Sequence, residues 1–142
     1  MKTKLNKKIL SICLTILLCL FVFSGCNQDK NSKENIYMQI TAKEAKNIMN
    51  NETDYLILDV RTEEEFAEAH IEGAILIPDY EIAQKAESIL TNKNQLILVY
   101  CRSGRRSKIA ASELAAMGYT NIKEFGGIID WPYDIVNAHS YP

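Results

Sequence analysis

Two observations predict an α/β fold for this chain: a single domain with a central parallel sheet and helices on both faces. Short apolar runs alternate with capped, amphipathic segments from about residue 41 onward. Parallel strands joined through helices must bury both sheet faces, which explains why the runs are apolar throughout rather than alternating. About 105 residues carry this pattern, enough for one domain around one core.

Thr41-Ala-Lys-Glu44 reads as a capping box that opens a helix through about residue 49. Residues 55–60 form a strand, and Thr62-Glu-Glu-Glu65 caps a short helix ending near Ala69, its acids a solvated start favoured by the helix dipole. Residues 74–77 form a second strand, stopped by Pro78. Residues 80–90 are helical, with Ile82, Ala86, Ile89 and Leu90 facing inward. The LILVY run at 96–100 is short, apolar and partly β-branched, the signature of a buried strand. A helix follows at 104–117, with Ile109, Leu114 and Met117 on its inner face and Gly118 as the stop. A last strand covers 121–125.

Ahead of the domain, residues 1–25 read as a signal peptide. Lys2, Lys4, Lys7 and Lys8 make a basic start, and no acid occurs before Asp29. The run from Ile9 to Phe23 is broken only by Ser11 and Thr15, and is shorter than the ~20 apolar residues a membrane span needs. It ends Phe23-Ser-Gly-Cys26, which resembles a bacterial lipobox with Cys26 as the lipidation site, Phe23 standing where Leu is usual. An uncleaved anchor and an ordinary secretory signal are the alternative readings. Residues 26–36 then form a lipid-anchored polar tether and 37–142 the domain, an arrangement that places the protein outside the cytoplasm on the membrane.

Of 16 Lys and Arg, four belong to the signal; without them the 18 acids exceed the bases by six. Such a domain is a poor nucleic-acid binder, since that function rests on clustered positive charge. The four cysteines reduce to one thiol, Cys101, once Cys13 and Cys19 leave with the signal and Cys26 carries lipid. That excludes an internal disulfide and thioredoxin-like exchange within one chain. One cysteine with His70 and His139 makes a metal site unexpected, and no cofactor is implied.

Against this acidic background stands Val99-Tyr-Cys-Arg-Ser-Gly-Arg-Arg-Ser107. Cys101 falls in the turn between a strand and a helix, where unpaired N–H groups converge and the helix dipole favours negative charge. Arg102, Arg105 and Arg106 add full positive charges. Such surroundings lower a cysteine pKa from ~8.5 into roughly the 3.5–7.5 range, so Cys101 is expected to be a nucleophile. A core cysteine would have no use for three arginines.

Cys-Arg-Ser-Gly-Arg-Arg-Ser resembles the active-site loop of the rhodanese family of sulfurtransferases. Leu58-Asp-Val-Arg61, Glu65-Phe66, His70-Ile-Glu-Gly-Ala, Gly118-Tyr119, Gly126-Gly127 and Trp131 fall where that family has its other marks, so the resemblance runs from about Met38 to Trp131. It implies the same α/β layer fold and a persulfide mechanism without cofactor. Phosphatases of similar fold carry a Cys-x5-Arg loop; the Cys101-x4-Arg106 spacing here implies a smaller pocket, sized for one sulfur.

The expected site is therefore Cys101 with the loop Arg102, Ser103, Gly104, Arg105, Arg106 and Ser107. Its N–H groups would cradle sulfur, Gly104 would let the loop curl, and the Ser103 and Ser107 hydroxyls would donate to it. Arg102 and Arg105 would steer a small anionic sulfur donor, while Arg106 would brace the loop against an acid. Asp59 and Arg61, at the end of their strand, are expected to support the loop as an ion pair rather than to react. His70 reads as a hydrogen-bonded structural histidine, and Trp131 and Phe125 as core. With no second cysteine, the thiol acceptor must be external. A non-catalytic binding module, a protein-fed sulfur carrier, and a phosphatase or arsenate reductase are the competing readings.

Overall fold

The computed structural model describes residues 37–137. The expected signal, the Cys26 lipidation site and His139 lie outside the described residues. In chain order the elements are β1 (Met38–Gln39), α1 (Ala42–Asn51), β2 (Tyr55–Asp59), α2 (Glu63–Glu68), β3 (Ala69–His70), β4 (Ala74–Leu76), α3 (Ile82–Ile89), β5 (Leu96–Cys101), α4 (Arg105–Ala116), β6 (Ile122–Gly127) and β7 (Val136–Asn137). Single 3₁₀ turns at Asp79–Glu81 and Ile128–Asp130 precede α3 and follow β6.

Five strands form one sheet in the order β1-β6-β5-β2-β4, every pair parallel. Because side chains alternate across a strand, the sheet has two apolar faces. Leu58, Val60, Ile97, Val99, Cys101 and Ile122 pack with α3 and α4 on one face. Ile57, Leu98, Tyr100 and Phe125 pack with Ala45 and Ile48 of α1 and with Trp131 on the other. The α/β class with helices on both faces is thus the observed architecture.

Both capping boxes are present. Thr41 and Thr62 each accept from the N–H three residues on, and Glu44 and Glu65 return a bond to the cap's own N–H. Such a cap is worth about 1 kcal/mol, enough to start helices that are too short to form unaided.

Two inward assignments are corrected. Ile89 is 44% exposed and Ile109 is 51% exposed. The buried side of α3 is Ile82 and Ala86, with Leu90 just beyond the helix. The buried side of α4 is Ser107, Ala110, Ala111, Leu114 and Ala115. The inner stripe of α4 is made mainly of alanines, which let the helix sit close on the sheet. Apolarity alone misplaced the helix face there, because the larger isoleucine points outward.

The short pairings were not legible. β1 lies beside β6, and β3 pairs antiparallel with β7. Two-residue strands have no periodicity to read.

Candidate active site

Cys101 ends β5, and Gly104 opens α4 three residues later with φ +91°, a left-handed conformation that glycine adopts without strain. This turn brings the Gly104 N–H back to 3.1 Å from the Cys101 Sγ. Cys101 is 1% exposed and is the free thiol of the described residues. Burial pushes its pKa up, but hydrogen bonds from the Ser107 hydroxyl and from the N–H groups of Ser107, Ser103 and Gly104 outweigh it, leaving the thiol below its ordinary value.

The arginines divide by role. Arg106 donates to Glu65 through both terminal nitrogens, Nη1 to Oε2 at 2.7 Å and Nη2 to Oε1 at 2.8 Å. It braces the loop against an acid, as the sequence predicts, and that acid is Glu65, paired here where the sequence predicts a solvated helix start. Arg102 and Arg105 are exposed and form no ion pair among the described residues. Of the peptide dipoles and guanidinium charges expected to hold the thiolate, backbone and hydroxyl donors head the favourable causes, and Arg106 interacts with the sulfur's charge through space. Ser103 contributes its N–H rather than its hydroxyl.

The floor of the loop comes from β6. Val99 pairs with Glu124, whereas Cys101 pairs with Gly127, so β6 carries one extra residue opposite Tyr100. The bulge lifts Gly127 against the loop. A Cβ there would lie 2.2 Å from the Arg102 carbonyl oxygen and 2.6 Å from the Ser103 Cα. Beyond it, the Ile129 N–H donates to the same Arg102 carbonyl at 3.3 Å.

Glu124, which the sequence reading did not single out, is 2% exposed on the face that also carries Cys101. Its Oε1 accepts from the Ser107 hydroxyl at 2.6 Å and from the Gly126 N–H at 2.9 Å. The Ser107 hydroxyl, expected to donate to sulfur, thus gives its hydrogen to a carboxylate. A signal was available: an acid beside Phe125 and two residues before a glycine pair, on the strand face opposite to that of Lys123.

Asp59 and Arg61 form a separate structure on the other face. Asp59 accepts from the Arg61 N–H at 2.9 Å, from Nε at 2.9 Å and from Nη2 at 2.7 Å. Arg61 also donates to the Ala69 carbonyl, and its guanidinium lies 5.7 Å from the centre of the Tyr100 ring. Burial first, then the Asp59 carboxylate, pushes the Tyr100 phenol far above its ordinary value, and that phenol oxygen accepts from the Ile71 N–H at 3.1 Å. These groups hold the ends of β2 and β5 together; they do not meet the sulfur.

His70 stacks on Phe66 with ring centroids 4.0 Å apart, and its Nδ1 bonds the Phe66 carbonyl at 2.9 Å. Trp131 and Phe125 pack with centroids 5.4 Å apart in the core under α1. Both readings, structural histidine and core aromatics, agree with the sequence analysis.

Residues 41–132 match the rhodanese-like domain family. The chain is similar to the thiosulfate sulfurtransferase PspE of Escherichia coli, 38% identical over 73 residues that cover 51% of this chain and 70% of that protein. It is 31% identical to the thiosulfate sulfurtransferase 18 of Arabidopsis thaliana over 126 residues, covering 79% of this chain and 87% of that one. The crystal structure of a rhodanese-like domain protein from Staphylococcus aureus superposes with a TM-score of 0.61 at 34% identity, covering 68% of this chain and 93% of the other.

Proposed function

The chain belongs to the rhodanese-like domain family, and from that premise we propose that it moves a sulfane sulfur from a small anionic donor such as thiosulfate to an external thiol through a persulfide on Cys101. The observation that carries this reading is the buried Cys101, whose sulfur accepts from the Gly104 N–H at the start of α4 in a loop of four residues closed by Arg106.

The Cys101 thiolate attacks the outer sulfur of thiosulfate. A sulfur–sulfur bond forms at Cys101, the one within the donor breaks, and sulfite leaves with the bonding pair. The terminal persulfide sulfur carries the negative charge, which the loop N–H groups stabilise as an anion hole does. An acceptor thiolate then attacks that sulfur and Cys101 departs as thiolate. With one cysteine in the domain, the two half-reactions are separated in time, giving ping-pong kinetics.

The competing phosphatase reading fares worse, because a loop one residue longer is what a tetrahedral phosphate requires. Incubation with thiosulfate followed by mass measurement tests the proposal: the wild type gains one sulfur on the Cys101 peptide, and Cys101→Ser gains none. Absence of the gain, or full activity in Cys101→Ser, overturns it. We further propose that lipid on Cys26 holds the protein at the membrane outside the cytoplasm. The mass of the protein extracted from membranes would carry the lipid, and Cys26→Ser would release it into the soluble fraction.

A further inference from the structure

Glu124 is 2% exposed and forms no ion pair among the described residues. A buried carboxylate is costly unless its oxygens are bonded. Here one oxygen, Oε1, accepts from two different elements: the Ser107 hydroxyl, in the first turn of α4, at 2.6 Å, and the Gly126 N–H, in the bulge of β6, at 2.9 Å. The Ser107 hydroxyl also lies 3.4 Å from the Gly126 carbonyl, so the helix start and the bulge close on each other around this one side chain. Gly126 has φ +91°, the left-handed backbone that a bulge glycine adopts.

Both partners bear on the residue that touches the sulfur. The Gly104 N–H is the donor that reaches the Cys101 Sγ at 3.1 Å. Gly104 is also the N-cap of α4, and it supplies no side-chain cap bond of its own. A helix that starts on glycine has lost its usual anchor and fixes its most flexible residue there. Ser107 stands one helical turn beyond, so holding Ser107 holds that turn. Gly126 lies beneath it: a Cβ on Gly104 would sit 3.5 Å from the Gly126 Cα and 3.9 Å from the Glu124 Oε1.

We propose that Glu124 is a positioning residue for Cys101, an anchor from the neighbouring strand that takes the place of the missing cap and, through Ser107 and Gly126, holds the Gly104 N–H against the sulfur. The anchor depends on where the acceptor oxygen stands, not on its charge. A shorter acid cannot reach both donors, whereas an amide of the same length can.

The inference rests on the sulfur-transfer reading for its purpose, but its test needs no sulfur donor. Iodoacetamide alkylation of the Cys101 peptide in the full chain is followed against pH by mass spectrometry. Each rate is taken relative to the alkaline plateau, so that differences in access to the sulfur cancel. The other charged groups on the packed elements, Arg102, Arg105, Arg106 and Lys108 on the loop and α4 and Lys123 on β6, are unchanged in every variant. β5 adds only Tyr100, on the opposite face.

Glu124→Asp keeps the carboxylate and loses one methylene of reach. A thiolate deprived of its N–H donor is less favoured, so the relative rate on the acid side should fall by about tenfold, the scale of a hydrogen bond to a charged group. Glu124→Gln keeps the reach and removes a negative charge, so its relative rate should hold or rise. A Glu124→Gln rate as low as that of Glu124→Asp, or a Glu124→Asp rate equal to or above the wild type, overturns the anchor. If Glu124→Asp does not fold, Ser107→Ala, which removes the α4 end of the anchor, takes its place: the same fall is expected, and an unaltered rate overturns the proposal. The expected pattern in a protein that gains no sulfur from thiosulfate would sink the transfer reading and leave the anchor standing.

Discussion

Arg106 and Glu65 meet through two parallel hydrogen bonds of 2.7 and 2.8 Å, joining the first turn of α4 to the first turn of α2. The Arg106 guanidinium, ahead of a smaller burial effect, holds the Glu65 carboxyl down at about 2. A carboxyl depressed on folding contributes stability that is present above its unfolded pKa and is lost as pH falls through its folded value. Glu65→Gln should therefore cost about 1–2 kcal/mol at pH 7, with solvent screening holding it to that range. The deficit should shrink from about pH 4.5 downward and vanish near pH 2. Urea unfolding of both proteins at pH 7 and pH 3 checks this; an equal deficit at both pH values would refute it.

Asp59 and Arg61 are buried together, at 0% and 5% exposure. Truncating one partner strands the other charge, so Asp59→Ala should destabilise by about 3–5 kcal/mol. Replacing both with apolar residues of similar volume, Asp59→Leu with Arg61→Met, should recover much of that loss. Unfolding curves of the single and double variants decide it. A double variant as unstable as the single one would mean the pair is not the source.

Gly127 and Gly73 make a paired test of the loop floor. Alanine at 127 puts a methyl group against the Arg102 carbonyl and the Ser103 Cα, backbone atoms that must shift to admit it. Gly127→Ala should cost about 1–3 kcal/mol or more and slow Cys101 alkylation as the loop shifts. At Gly73 a Cβ meets nothing within 4 Å, and only its φ of +78° opposes a side chain. Gly73→Ala should cost about 1–2 kcal/mol and leave Cys101 reactivity unchanged. Thermal melts and alkylation rates separate the two.

Arg102 and Arg105 stand exposed at the rim with no ion pair among the described residues. On the proposed function, Arg102→Gln with Arg105→Gln should raise KM for thiosulfate by about tenfold at low salt, and by less as salt screens the wild type. Cys101 alkylation by a neutral reagent should change little, because hydrogen bonds hold its charge. Steady-state kinetics at two ionic strengths, beside the alkylation rate, provide the check. A large fall in alkylation would return the thiolate to the arginines.

Most of the fold was legible because its signals are local. The capping boxes at Thr41 and Thr62, the strand runs at β2 and β5, and the stop at Gly118 each depend on neighbours within a few residues. The loop was legible for the same reason: thiol, glycine and helix start are consecutive. What escaped was contact across the sheet. Glu65 read as a solvated helix start because its partner is 41 positions away. Glu124 read as one residue of an ordinary strand because its partner is 17 positions away on α4.

By itself the chain's order of residues determined the α/β class, the single domain thiol and the turn that presents it, since each follows from propensity, spacing and chain connectivity. Only the tertiary structure decided which acid Arg106 meets and what lies beneath the loop: Glu65 of α2 for the one, and Glu124 with the bulged Gly127 of β6 for the other. A guanidinium on a long side chain can face many partners, and only the packing of α2 against α4 selects one of them.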